Sequence, residues 1–265
     1  MNPSQLLQIR HWFEEYAGNF LAGADGLRPL FELKRVHSCR VAGITRALAR
    51  RLDWTAEEVR AAEAMGWLHD IGRFTQLAEF KTLDDRRSVH HGRRSCEVIE
   101  QSGLLVESSD GERKAILDGI LHHNQPAIAE GLPPLSLRFA KLIRDADKVD
   151  ILWHVQHEVR SGMVDRHPEI ILGVDRTSRA VNPEVLAEIR TGRPGSYQHI
   201  RTLSDFFLIQ LSWVYDLNYA ATFDLLAVHG TMKTLVDHLP DTPEVNEAVG
   251  TLLGEFDRRS TGRAY

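Results

Sequence analysis

The stretch AAEAMGWLHDIGR at residues 61–73 limits what this chain can become more than any other part of it. Ala61, Met65 and Leu68 recur at spacings of four and three, and Val59, Ala62, Gly66 and His69 form a parallel stripe beside them. That spacing predicts a helix buried on a broad face. It ends at an adjacent His-Asp pair, with Gly72 as its stop and Arg73 just beyond. His69 therefore points inward, and Asp70 lies about 100° further round the same turn. A carboxylate in apolar surroundings is costly unless something positive meets it. A metal ion would serve, because imidazole nitrogen and carboxylate oxygen are both good ligands. An isolated His-Asp pair proves little, so the question is which other ligands the chain supplies.

Composition narrows the setting. The 265 residues are 43% hydrophobic and 26% charged, with a formal net charge of −5. This suits a large globular domain and argues against a general nucleic-acid binder, while permitting a local basic pocket for a small phosphate ester. The two cysteines, Cys39 and Cys96, form no metal-binding or disulfide framework, which points to a reducing, cytoplasmic location. No apolar run approaches the length of a membrane span, and the charged N-terminal segment does not read as a signal peptide. There is no repeat or low-complexity tract, and the oligomeric state is open.

Helical patterns cover most of the chain. Residues 4–21 carry Leu6, Ile9, Phe13 and Tyr16 on one face, and residues 23–29 read as a turn. A second helix over about 31–52 places His37 in the stripe of Leu33, Val41, Ile44 and Leu48. Thr55 and Glu58 form a capping box for the helix that reaches His69. Residues 72–88 are polar and weakly periodic and read as a loop over the site, with Arg73 and Lys81 as cations and Asp85 and Arg86 as solvated charges. In the helix expected from Ser88 to about Gln101, phase selects His91 over His90 as the inward residue. In the next, from Glu112 to about Asn124, it selects His123 over His122, the less secure exclusion because a helix end can unwind. Over about 136–160, Asp147 lies at the edge of the core stripe, while Asp145 falls with Arg138 and Lys141, where a salt bridge would satisfy it.

Residues 161–181 read as an irregular excursion, and Asn182-Pro183 starts a short helix. Three further helical stretches follow, over 197–216, 217–238 and 244–258, with aromatic residues that read as core. No alternating strand pattern of useful length occurs. The expectation is an all-α fold in one domain, with a metal-binding core over about 30–155 and a C-terminal helical extension over about 182–258.

His37, His69 with Asp70, His91, His123 and Asp147 thus come from five helices. A histidine-carboxylate set suits Mn, Fe, Co or Zn, in one or two ions, and completion by water or phosphate would admit Mg. The absence of sulfur ligands argues against a structural zinc site. On His37 in KRVHSCRVA, the pair in GWLHDIGRF and Asp147 in IRDADKVDIL, the chain resembles the HD-domain metal-dependent phosphohydrolases. His91 in SVHHGRRS and His123 in ILHHN are similar to the additional histidines of two-metal members. The sequence after His123, Asn124-Gln125-Pro126, departs from the Gly-Tyr-Pro signature of the cyclic-dinucleotide subgroup.

The resemblance implies an all-α bundle that cleaves a phosphate ester of a nucleotide or other small phosphorylated metabolite through a metal-activated hydroxide, with Asp70 bridging the ions. Arg73 and Lys148 are the candidate catalytic cations, and Arg73, Lys81 and Lys148 the candidate phosphate-binding ones. Two other classes use the same residues: a di-iron oxygenase of the HD type, and a non-catalytic nucleotide-sensing module.

Overall fold

The computed structural model describes residues 1–23 and 26–260. Every regular element among them is helical, and an isolated parallel bridge joins Asp175 to Thr202. The all-α expectation holds. The chain divides into two compact units, Met1–Asp150 and Ile151–Tyr265. The one-domain reading rested on the lack of a linker, and this division falls inside a helix, where no Pro- or Gly-rich linker marks it. No helix among the described residues is long and apolar enough to cross a membrane.

The first unit contains α1 (Pro3–Ala22), α2 (Arg28–Arg51), α3 (Ala56–Leu68), α4 (Gly72–Phe80), α5 (His91–Ser102), α6 (Asp110–His122) and α7 (Pro134–Arg160), the last of which continues beyond Asp150. Helix α2 begins earlier than its apolar stripe because Pro29 is tolerated in a first turn. The capping box of α3 is present: Glu58 N donates to Thr55 Oγ1 at 3.2 Å, and Thr55 N to Glu58 Oε2 at 2.9 Å. Val41, Ala42 and Leu48 of α2 are buried, as are Ala62, Met65 and Leu68 of α3. Gly66 permits the close approach of these two helices. A Cβ there would lie 2.5 Å from Ala42 Cα and 2.8 Å from Thr45 Oγ1.

The loop expected over residues 72–88 is instead α4 followed by a 3-10 turn at Asp85–Arg87. Its buried residues, Gly72, Phe74, Gln76 and Leu77, span less than two turns, too short a pattern for periodicity to reveal. What holds α4 is aromatic packing. Phe74 is fully buried, with ring centroids 5.6 Å from Phe20, 6.0 Å from Phe31 and 6.1 Å from Phe13. Gly72 starts α4 rather than stopping α3, and a Cβ on it would meet His91 O and Ser95 N at 2.6 Å. Helix α5 begins at His91, not Ser88, because the His90 side chain caps it by accepting from Arg93 N. Ser109 caps α6 in the same way, through Glu112 N.

The second unit is more finely divided than the sequence pattern suggests. Its helices are α8 (Met163–Arg166), α9 (Pro183–Ile189), α10 (Leu203–Ser212), α11 (Ala220–Val228), α12 (Thr231–Val236) and α13 (Pro243–Arg259). The excursion at residues 161–181 thus includes α8 and a 3-10 turn at Pro168–Ile171. The expected helix over 217–238 breaks into two at Gly230, whose φ of 60° lies in the left-handed region that favours glycine. Asn182 caps α9 as expected. Thr202 and Asp205 form a second capping box, and buried Asp205 also accepts from Asn182 N and Arg201 N. Phe206, Phe207, Phe223 and Phe256 are buried, so these aromatics are core.

The α2–α3 approach is expected to be sensitive to one methyl group. Gly66→Ala would gain about 1 kcal/mol of helix propensity but overpack a backbone contact, typically at a cost of about 1–3 kcal/mol. Urea unfolding should show a net loss of stability. Gly43→Ala on α2, where a Cβ would meet nothing within 4 Å, should be neutral or stabilising.

Candidate metal centre

Helix ends and helix faces deliver six side chains to one place. His37 lies on the inner face of α2. His69 and Asp70 directly follow α3, His91 opens α5, His123 follows α6, and Asp147 lies on α7. Five of these residues are buried and Asp147 is half-buried. Their possible ligand atoms fall into three groups, His37–His69–Asp70, His69–His123–Asp147 and Asp70–His91–His123, each within 4.8 Å.

The outward nitrogen of each imidazole identifies its tautomer. His69 Nδ1 donates to Gly66 O at 2.8 Å, and His123 Nδ1 to Ile120 O at 2.6 Å. His37 Nδ1 donates to Asp150 Oδ2 at 2.7 Å, and His91 Nδ1 to Asp85 Oδ2 at 2.6 Å. Carbonyl and carboxylate oxygens only accept, so every Nδ1 carries a proton and a neutral ring presents its Nε2 lone pair inward. The Nε2 atoms of His37 and His69 are 3.2 Å apart, and those of His91 and His123 are 2.9 Å apart. Asp147 Oδ1 lies 3.1 Å from His37 Nε2 and 3.7 Å from His69 Nε2. Asp70 Oδ1 faces His91 Nε2 at 3.4 Å and His123 Nε2 at 3.7 Å, yet among the described residues it has no hydrogen-bond partner.

Such a set of acceptors fits a divalent metal ion. Lone pairs that point at one another repel, and a buried carboxylate oxygen without a donor is costly. A cation between them relieves both, and an imidazole backed by a carboxylate or carbonyl is the usual form of a histidine ligand. Asp70 has one oxygen toward each half, so it could be shared by two ions. The titration behaviour agrees. Burial disfavours the charged form of His37, but Asp147 and Asp150 outweigh it and hold the group up at about 9. That proton is what an ion would replace. Burial, followed by the Arg73 guanidinium, pushes His91 down to about 3, and burial lowers His123. Burial would raise Asp70 and Asp147, yet Lys34 and nearby imidazoles hold Asp70 well below the usual range, and His37 and His69 do so for Asp147.

Residues 35–152 match the family model described as HD domain, and the match spans all six residues. This stretch of the chain is thus similar to an HD domain. This family is one of metal-dependent phosphohydrolases. No curated protein and no solved structure matches the chain.

Around the HD residues the structure adds partners that periodicity does not reveal. Lys34, one turn before His37, places Nζ 2.9 Å from Asp70 Oδ2. Asp150, one turn after Asp147, orients His37 and is held by Arg40 Nε at 2.6 Å and Nη2 at 2.9 Å. Both share a helix face with a predicted residue, a signal that was open to use. Asp85, expected in solvent, is half-buried against His91, whereas Arg86 is exposed as expected. Asp85 lies in a 3-10 turn, where helical phase carries no information. Asp145 is fully buried.

Arg73 lies beside the centre, with Nε 3.6 Å from Asp70 Oδ1. Its Nη1 donates to Gln76 Oε1, Leu83 O and Asp85 Oδ1 at 2.7, 2.6 and 2.9 Å. Lys148 is buried next to Asp147. Lys81 is exposed at the end of α4 and donates to Ala78 O, so it is not among the residues brought together. His90 is a helix cap, and His122 falls in none of the candidate groups among the described residues.

Titration of chelator-treated protein with Mn(II) or Co(II) checks this geometry. Asp70→Ala should weaken binding by roughly a hundredfold or more, beyond the 10–100-fold typical of outer partners. His91→Ala and His123→Ala should harm loading far more than His90→Ala and His122→Ala. Unchanged metal content in Asp70→Ala would remove the shared carboxylate from the centre.

Proposed function

We propose that this HD domain hydrolyses a phosphate ester of a small metabolite, with a nucleotide as one candidate, in the cytoplasm. The observation that carries the reading is the convergence of four Nε2 lone pairs on a shared carboxylate, Asp70, within an HD domain. Divalent ions held by His37, His69, Asp70 and Asp147 on one side, and by Asp70, His91 and His123 on the other, would polarise the phosphoryl group and acidify water. Mn, Fe, Co or Zn suits this nitrogen and oxygen set, and free Cys39 and Cys96 supply none of it.

The chain's own residues do the rest. Lys34 and the imidazoles keep Asp70 ionised, so it stays a ligand at neutral pH. Asp150 and Asp85 hold two of the four rings in the ligating tautomer. Lys148 follows Asp147 directly and is buried. As a protonated amine it has no lone pair with which to compete for an ion, and its role is to neutralise a phosphoryl oxygen. Arg73 is tied to Leu83 and Asp85, so its contribution is the positive field near Asp70 rather than a flexible phosphate clamp.

Metal analysis paired with a phosphate-release screen over nucleotides and sugar phosphates tests the reading. Phosphate release that is lost with chelator and restored by added metal is expected. Oxygen consumption without phosphate release would favour the di-iron oxygenase class instead, and tight nucleotide binding without turnover a sensing module. Lys148→Ala should retain its metal and fold but lose about 10–100-fold in kcat/KM, the worth of one charge-assisted hydrogen bond. A rise in KM alone would place the contact in the ground state, and a fall in kcat in the transition state. Unchanged kinetics would remove Lys148 from the substrate.

A further inference from the structure

The four imidazoles are not oriented by equivalent means. His69 and His123 donate to carbonyls three residues back in their own helices, Gly66 and Ile120. His37 donates to Asp150, a buried residue on α7. His91 alone of the four relies on a residue outside the α-helices, Asp85, in the connection between α4 and α5.

We propose that Asp85 is a positioning residue for the metal centre, holding His91 with its Nε2 inward and making ion binding in the Asp70–His91–His123 half depend on the seating of the α4–α5 connection. The inference rests on the metal-centre reading above and assigns this half a support from outside the α-helices, where the other half is supported from within them.

The geometry around the carboxylate supports it. Asp85 Oδ2 accepts from His91 Nδ1 at 2.6 Å, His91 N at 3.2 Å and Asn124 Nδ2 at 2.9 Å. Its Oδ1 accepts from Arg73 Nη1 and Gln76 Nε2, both at 2.9 Å. One carboxylate thus joins the start of α5, the residue after His123 and the first turns of α4. The 3-10 turn that carries Asp85 has no buried residue. The connection is therefore seated by polar contacts and not by apolar burial, and segments of that kind open locally at low cost.

The consequence follows from imidazole chemistry. The tautomer of a neutral histidine is set by the hydrogen bond at its other nitrogen. Without the Asp85 acceptor, His91 is free to carry its proton on Nε2 and to turn, and a protonated nitrogen is no ligand. Removing such an outer partner typically costs 10–100-fold in metal affinity. Coupling is reciprocal: if seating of the connection favours the ion, the ion must favour seating.

The test uses full-length protein stripped with chelator and titrated with Co(II), followed by visible absorption and calorimetry, in wild type and Asp85→Asn. Wild type should bind two equivalents. Asp85→Asn should bind the first unchanged and the second about 10–100-fold more weakly, with altered absorption for the second ion only. In parallel, hydrogen exchange on wild type should show amides 83–91, the His91 N–H above all, slowing as the second ion binds. This arm needs no variant, so it decides the question even if Asp85→Asn fails to fold. No ion uptake by wild type would overturn the metal-centre reading and this inference with it. Two equivalents with unchanged affinity in folded Asp85→Asn, equal weakening of both ions, a single equivalent in wild type, or exchange insensitive to the second ion would each overturn the inference alone.

Discussion

Four imidazoles that turn nitrogen lone pairs toward one another and toward two carboxylates form an arrangement that only positive charge makes stable. Much of the first unit serves this electrostatic constraint. The outward nitrogens are fixed by hydrogen bonds, which turns the inward ones toward one another and toward Asp70 and Asp147. Partial substitutes for the cation lie in the chain itself: Asp147 and Asp150 favour the charged form of His37 against its burial, and the Lys34 ammonium lies against Asp70. A group of acceptors this dense, built from five helices, carries a stability cost that a fold without a cationic ligand would have little reason to keep.

Bringing five helices to one point is a packing problem, and small residues solve it. Gly66 lets α3 press on the backbone of α2, and Gly72 lets the start of α4 rest against α5. Gly119 on α6 does the same against Met65, where a Cβ would lie 2.5 Å from the sulfur. The aromatic cluster around Phe74 then anchors α4, from which Arg73 and Gln76 reach Asp85. Apolar packing therefore places the helices, and the polar contacts between them aim the side chains at the centre.

The histidines that meet at the centre were legible for a physical reason. His37, His91 and His123 each sit in a helix or at its end, where a period of 3.6 residues separates inward from outward neighbours. The same rule separates His91 from His90 and His123 from His122. It says less about the burial of Asp145, which is fully buried although its phase groups it with Arg138 and Lys141. A long helix packed on more than one side buries more than one stripe, and single-face reasoning then misplaces the residues between.

Sequence alone determined the all-α class, the capping box at Thr55 and Glu58, and the six residues that meet at the centre, because each of these rests on local spacing. Tertiary structure decided what lies between regular elements and what crosses between them. Helix α4 exists because Phe74 finds four aromatic rings from α1 and α2, a gain that its own nine residues do not display. Asp85 and Asp150 became orienting carboxylates only once α5 and α2 came alongside them. Periodicity reports which face of one helix seeks burial, whereas a hydrogen bond between residues 113 positions apart, such as His37 to Asp150, exists only after the chain has folded.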